Sequence, residues 1–398
     1  MWFAFKPVAF DTYQGPVPFA HRENATSVAS EKTPSLKFVF RADASVQIGT
    51  GHVMRCLTLA DELSRLGHAC WFLCREHQGH LGDLITSRGH KLALLSNPVE
   101  SLTADNGGGA DDYAAWLGVG WQDDAQQTRD AIKALSADWL IVDHYALDAK
   151  WERALSAKIR NIMVIDDLAN RSHHCSILLD QNLGRGEKDY DGLVPFDCQR
   201  LIGPRYALLR REFTEFREES LKRRVNPRLK RILISLGGVD RTNVSGRVLE
   251  ALRMSDLPHT TQIDVIMGAS APHLNEVREL ARTLPFKVTV SVNVSNMAER
   301  MCQADLAIGA AGGTSWERCC LGLPSIVLVL ADNQMNSARA MRGQGVAMVP
   351  ETDEGEEALL SSLNDEPQVL NALSKMSSTA MNLIDGRGCE RVISRILT

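Results

Sequence analysis

The sequence predicts an α/β fold of two Rossmann-like domains facing across a cleft, and three observations predict it. Short apolar strands alternate with amphipathic helical stretches from Leu36 onward. The alternation restarts after a charged stretch that ends near Lys230. Each half also opens with a strand that runs into a glycine turn, Gly49-Thr50-Gly51 in the first and Gly237-Gly238 in the second. Sheets of this kind are parallel, covered by helices on both faces, and open to ligands at the carboxyl ends of their strands.

The first domain is assigned to residues 36–214. Lys37-Phe38-Val39-Phe40 is its opening strand, and Val53, Leu57, Ala60, Leu63 and Leu66 recur at helical spacing after the glycines. Strand 69–73, helix 81–87 and strand 91–95 repeat the unit. A loop follows from Ser96 to Gly120, carrying Gly107-Gly108-Gly109. Helix 123–135, strand 139–142, helix 149–158, strand 162–165 and strand 177–179 complete this half. Three of these strands run into polar clusters: Asp143-His144-Tyr145, Asp166-Asp167 and Asp180-Gln181-Asn182. Asp after a strand often caps a turn or helix, so two of the three are expected in such roles. Asp143-His144-Tyr145 is the best functional candidate, because it joins a carboxylate, an imidazole and a phenol.

Residues 215–230 are dense in Lys, Arg and Glu and are expected to form an interdomain linker. The second domain is assigned to 231–398. Strand 231–236, helix 243–254, strand 263–267, helix 272–283, strand 287–292 and helix 296–303 lead to the small-residue run Gly309-Ala310-Ala311-Gly312-Gly313. A backbone so bare can lie against phosphate or ribose, with Thr314 and Ser315 capping the next helix. Glu317 could accept from ribose hydroxyls; its structural alternative is an acid favoured by the helix N-terminus. Strand 324–330 ends at Ala331-Asp332-Asn333-Gln334, helices are expected around 356–364 and 366–384, and a tail follows Gly386. Residues 1–35 lack this pattern and are expected to be a disordered extension.

Composition narrows the class. The formal net charge of -5 gives no electrostatic reason to expect nucleic acid. Nine cysteines, an odd number without a Cys-x-x-Cys pair, suit free thiols in the cytoplasm better than disulfides or zinc. No apolar run approaches the ~20 residues that span a bilayer, so no membrane partner is expected. Asp189-Tyr190-Asp191 is formally an Asp-x-Asp metal motif, but it lies in a polar loop. His52 falls in the first turn of the first helix, where the ring could serve as a base and the free N–H groups suit an anion. A helix-capping histidine is the alternative.

Taken in order, Arg41-Ala-Asp43, Ile48-Gly-x-Gly-His52-x-x-Arg55, Val142-Asp-His-Tyr145, Leu-Leu-Asp180-x-Asn182, Gly203-Pro-x-Tyr-x-x-Leu-Arg210 and Leu236-Gly-Gly238-x-Asp240 form a set. With Ala311-Gly-Gly-Thr-Ser-x-Glu317 and Asp332-Asn-Gln334, they resemble the UDP-sugar hydrolases of pseudaminic acid biosynthesis, which act on UDP-2,4-diacetamido-2,4,6-trideoxy-β-L-altropyranose. The resemblance covers roughly residues 36–398. It implies a glycosyltransferase-B architecture and a metal-independent hydrolysis, without cofactor, that inverts the anomeric carbon and releases UDP. It implies His52 as general base on water, with Tyr145 and Asn333 in the sugar site. Gly51, Asp143, Arg210, Gly237, Gly238, Gly312, Gly313, Thr314, Ser315, Glu317 and Gln334 are the expected substrate contacts. The chain is expected to act as a monomer on a UDP-sugar. Two other readings stand beside this one. A glycosyltransferase of the same fold would need an acceptor site, and a nucleotide-sugar-binding protein would need no base.

Overall fold

Parallel strands buried on both faces form the centre of each half. The computed structural model describes residues 34–97, 113–350, 363 and 366–398. The expected N-terminal extension, the loop around Gly107-Gly108-Gly109 and the helix around 356–364 lie wholly or almost wholly outside the described residues.

The first sheet contains β1 (Lys37–Ala42), β2 (Ala69–Arg75), β3 (Lys91–Leu95), β4 (Trp139–Asp143), β5 (Asn161–Ile165), β6 (Ile177–Asp180) and β7 (Gln199–Ile202). Its order is β3-β2-β1-β4-β5-β6-β7, and all pairs are parallel. Every residue of β4 is buried, as a central strand under two helical layers requires. The edge strand β3 buries only Leu95. Strand β7 is not predicted by the sequence: Gln199-Arg200-Leu201-Ile202 is short, polar at its start, and buries only Leu201.

Helices α1 (Gly51–Arg65), α2 (Gly82–Ser87), α3 (Trp121–Leu135) and α4 (Ala149–Ser156) flank this sheet. The α1 face that the spacing predicts, Val53, Leu57, Ala60 and Leu63, is buried. Leu66 departs from it, because the helix ends at Arg65 and Leu66 turns outward.

The charged stretch is largely helical. It forms α5 (Arg211–Glu215) and α6 (Arg217–Arg224), and α6 buries only Ser220. Its arginines dock it by polar contacts, with Arg224 Nη2 donating to the Met301 and Ala304 carbonyls and Arg223 Nη2 to Asp305 at 2.6 Å. That is why no apolar periodicity announces it.

The second sheet contains β8 (Arg231–Ser235), β9 (Gln262–Met267), β10 (Lys287–Val292), β11 (Leu306–Ala310) and β12 (Ser325–Leu328), in the parallel order β10-β9-β8-β11-β12. Its helices are α7 (Val244–Arg253), α8 (Leu274–Thr283), α9 (Met297–Gln303), α10 (Thr314–Cys320), α11 (Met335–Gln344), α12 (Glu366–Leu383) and α13 (Gly388–Ile396). The last of these replaces the expected tail. Its Cys389, Val392, Ile393 and Ile396 share one apolar cluster with Val53, Leu57 and Leu63 of α1. The sequence division at residue 230 therefore does not hold to the C-terminus, since α13 completes the core of the first half. Ser35–Thr398 forms one compact unit.

Strand order also locates the crevices. In each sheet the chain first builds outward in one direction, then returns to the centre and builds in the other. The reversal falls between β1 and β4 in the first sheet and between β8 and β11 in the second. Ligands of open α/β sheets bind at the carboxyl ends of strands at such reversals.

Candidate functional site

A cleft of about 530 Å³ joins the two reversal points. From the first half it is lined by Gly51, His52, Arg55, Tyr145, Asp167 and Asn182. From the second it is lined by Gly237, Gly238, Gly312, Gly313, Thr314, Glu317, Asn333 and Gln334.

His52 sits in the first turn of α1 and is 7 % exposed. Strand β4 pairs with β1 at Ala42↔Asp143, so the last residue of β4 lies directly behind the turn into α1. There His52 Nδ1 and Asp143 Oδ1 are 2.6 Å apart. A carboxylate at that distance accepts a hydrogen bond from Nδ1–H and leaves Nε2 as the ring nitrogen free to take up a proton. Asp143 is itself fixed by Arg55, one turn along α1, whose Nε and Nη2 donate to its two oxygens at 2.5 and 2.7 Å. Burial alone would raise the Asp143 pKa. The charges of Arg55 and His52 outweigh it and hold the carboxyl well below the usual range.

Arg55 continues to Asp167, with Nη1 to Oδ1 at 3.0 Å. Asp167 also accepts from the Tyr145 hydroxyl at 2.7 Å and from Asn182 Nδ2 at 2.8 Å. Burial, then the Asp167 charge, pushes the Tyr145 phenol well above its ordinary pKa, so it stays protonated. The Tyr145 ring lies edge-on to His52 at 4.6 Å and stacks with Trp116 at 5.8 Å. Tyr145 thus brings an aromatic ring, backed by Trp116, to the lining of the cleft.

The three strand-end clusters do not divide cleanly between turn and site: each combines a buried or turn-forming residue with one that lines the cleft, Tyr145, Asp167 and Asn182. Asp166 Oδ2 accepts from the Leu168 and Ala169 N–H groups, and Asp180 Oδ1 from the Asn182 N–H. His144 is the exception within the favoured cluster: it is buried with Nε2 3.3 Å from Asp43, on the side away from the cleft. Arg41 and Asp43 are also structural. They are fully buried, with Arg41 donating to Asp43 and Asp124, and Arg75 joining at Asp124. The Asp189-Tyr190-Asp191 motif is spent on structure: Asp189 accepts from the Gly186 N–H, Tyr190 is buried, and Asp191 pairs with Arg200.

On the opposite wall the glycines behave in two ways. Gly237 has φ +96, a left-handed value that disfavours side chains. Gly238, Gly312 and Gly313 have ordinary φ, and a Cβ on any of them would meet nothing within 4 Å. The protein itself does not require these three glycines, and the space a side chain would fill is the cleft. Glu317 accepts from Arg210 Nη2 at 3.3 Å, and the neighbours of both residues, Leu209 and Phe213 beside Trp316 and Cys320, share one apolar cluster. Burial raises the Glu317 pKa, with Arg210 opposing. Asn333 is exposed, and Gln334 is partly committed, its Oε1 accepting from the Leu330 N–H at 3.1 Å.

Two expected contacts lie elsewhere. Asp143 is fully buried behind His52, so it orients the ring instead of meeting substrate. Ser315 is also buried, its hydroxyl donating to the Ala310 carbonyl and accepting from Arg318. Neither Thr314 nor Ser315 caps α10, whose N-cap is Gly313 without a side-chain bond. Arg55, Asp167 and Asn182 enter the cleft although the sequence reading marks them only within motifs. Their signal is tertiary, since 112 residues separate Arg55 from Asp167. Among the described residues, no group of three or more His, Cys, Asp or Glu side chains could hold a metal ion. No described helix is long and apolar enough to cross a membrane.

Residues 235–386 match the glycosyltransferase family 28 C-terminal domain. The chain is 27% identical over 310 residues to the UDP-2,4-diacetamido-2,4,6-trideoxy-beta-L-altropyranose hydrolase of Campylobacter jejuni, covering 78% of this chain and 97% of that protein. Among solved structures it is similar to MurG of Acinetobacter baumannii, with a TM-score of 0.61 at 16% identity over 91% of this chain and 99% of that one. It is also similar to S. aureus MnaA solved with UDP, with a TM-score of 0.57 at 12% identity over 91% and 96%. The resemblance read from the motifs is thus found along nearly the whole curated hydrolase, and the fold is that of the glycosyltransferase-B class.

Proposed function

We propose that this chain hydrolyses a UDP-sugar, UDP-2,4-diacetamido-2,4,6-trideoxy-β-L-altropyranose, to UDP and the free sugar with inversion. The observation that carries the reading is the His52–Asp143 pair, which opens into the same cleft as Gly238, Gly312 and Gly313. Those glycines leave room for an occupant against the main chain, which suits a diphosphate; Glu317 suits the ribose. The hydrolase similarity supports the substrate class, and the UDP-bound neighbour supports a nucleotide in a cleft of this fold.

In this reading His52 Nε2 takes a proton from water as the water oxygen bonds to the anomeric carbon. The bond from that carbon to the diphosphate oxygen breaks, and UDP leaves with the electron pair. Attack from the face opposite UDP inverts the centre. Asp143 keeps the ring in the accepting tautomer and stabilises the imidazolium that forms. Tyr145 and Asn333 meet the sugar. UDP leaves readily once its charge is held, so neither a strong general acid nor a metal is needed. The enzyme works as a cytoplasmic monomer, a setting that suits nine free, buried thiols.

UDP release measured with the nucleotide sugar and water alone tests this, with the first-formed anomer read by NMR. Release that depends on an added acceptor alcohol would make the chain a glycosyltransferase. Tight binding without turnover would make it a nucleotide-sugar-binding protein.

A further inference from the structure

Arg318 is a cation buried without an anion. It is 2 % exposed, and neutral oxygens hold its guanidinium. Nη2 donates to the Ala310 carbonyl at 2.8 Å and the Ser315 hydroxyl at 2.9 Å, and Nη1 to the Thr314 hydroxyl at 3.3 Å. Nε is buried with no hydrogen-bond partner. Glu317, the residue before it, is engaged by Arg210. Among the described residues no carboxylate forms an ion pair with Arg318. A charge buried in this way is unfavourable, and an apolar residue of similar volume is often at least as stable in such a place.

The fold also makes room for it. Gly309 lies inside β11, where glycine weakens a strand, and a Cβ at that position would collide with the Arg318 guanidinium. Two unfavourable choices therefore converge on one side chain.

Its position indicates the use. Thr314, whose hydroxyl accepts from Nη1, lines the cleft, as do Ala311, Gly312 and Gly313. The guanidinium stands one hydroxyl behind the surface left open by the glycines, in surroundings that screen charge far less than water. We propose that Arg318 is a resident counter-charge for the diphosphate of the bound nucleotide: the site holds the cation in advance, and the ligand brings the anion. The proposal rests on reading the cleft as a nucleotide-sugar site. Burial pulls the Arg318 pKa down to about 10, and the charges of Cys319 and Glu317 oppose it only in part.

Calorimetry on the full chain with UDP, UMP and uridine tests it. Arg318→Met should weaken UDP by roughly ten- to fiftyfold and UMP by less, while uridine stays within about twofold. Equal loss of UDP and uridine would assign Arg318 a purely structural role, and unchanged UDP affinity would also overturn the proposal. Wild-type protein that fails to bind UDP removes the nucleotide-sugar reading itself. Arg318→Lys gives an independent test should the methionine variant not fold. A buried lysine without an anion loses its proton easily, and a bound anion restores it. UDP binding to Arg318→Lys should therefore take up a proton and weaken between about pH 7.5 and 9, unlike wild type. Binding that matches wild type in pH dependence overturns the proposal.

Discussion

Asp143 Oδ1 lies 2.6 Å from His52 Nδ1, and Arg55 grips the same carboxylate through both oxygens. The ring is therefore oriented by a group that is itself oriented, and that carboxylate is removed from solvent. Asp143→Asn should leave the fold intact and lower kcat by ~10²-fold or more with little change in KM. The amide can donate to Nδ1, which moves the ring proton to Nε2, where a base must be empty. Steady-state UDP release checks this, and a KM rise with unchanged kcat would make Asp143 a binding residue.

His52→Asn should lower kcat by a similar ~10²-fold or more. Few ground-state contacts are lost, because the nucleotide contacts belong to the other half. Steady-state UDP release checks this, and a kcat that stays at the wild-type level would direct attention to Tyr145 and Asp167.

Glu317→Ala should weaken UDP by about tenfold and change kcat less. Loss of this carboxylate also frees Arg210 from its contact with Glu317. Calorimetry with UDP, set beside kcat, separates the two effects. Loss confined to kcat would move Glu317 from nucleotide binding to chemistry.

UDP release should persist in excess EDTA, since backbone amides and the buried guanidinium are assigned to the diphosphate. Complete loss in EDTA, restored by added Mg²⁺ or Mn²⁺, would overturn that assignment.

Asp180 provides a pH test of stability. Burial, with the Asp167 charge adding to it, raises this carboxyl to about 7. A raised folded-state pKa means that the proton is held more tightly in the native chain. The associated stability is complete below the unfolded carboxyl pKa near ~4 and fades as pH rises through about 7. Asp180→Asn imitates the protonated acid toward Tyr190 and Asn182. It should lose less stability than wild type between about pH 5 and 8, by an amount on the order of 1–3 kcal/mol. Urea midpoints at both pH values check it, and parallel losses would refute the shift.

Much of the fold is legible in sequence because central parallel strands must be apolar on both faces. The strands Phe38-Val39-Phe40, Leu140-Ile141-Val142 and Ile232-Leu233-Ile234 announce themselves for that reason. Elements held by polar contacts do not: α6 is anchored through Arg223 and Arg224, and β7 has one buried residue. In α13 the buried residues Cys389, Val392, Ile393 and Ile396 do recur at helical spacing, but the string is brief and its packing partner lies more than 300 residues upstream. The site divides likewise. His52 and the glycine turns are visible as local patterns. The roles of Asp143 and Asp167 depend on Arg55, and only the strand order brings those three together.

The return of α13 to α1 has a consequence for biosynthesis. Val53, Leu57 and Leu63 are made more than 300 residues before the residues that complete their cluster. Until α13 has been made, the first half exposes part of its apolar wall to solvent and to chaperones. A stop codon placed before α13 therefore injures the half of the protein made first.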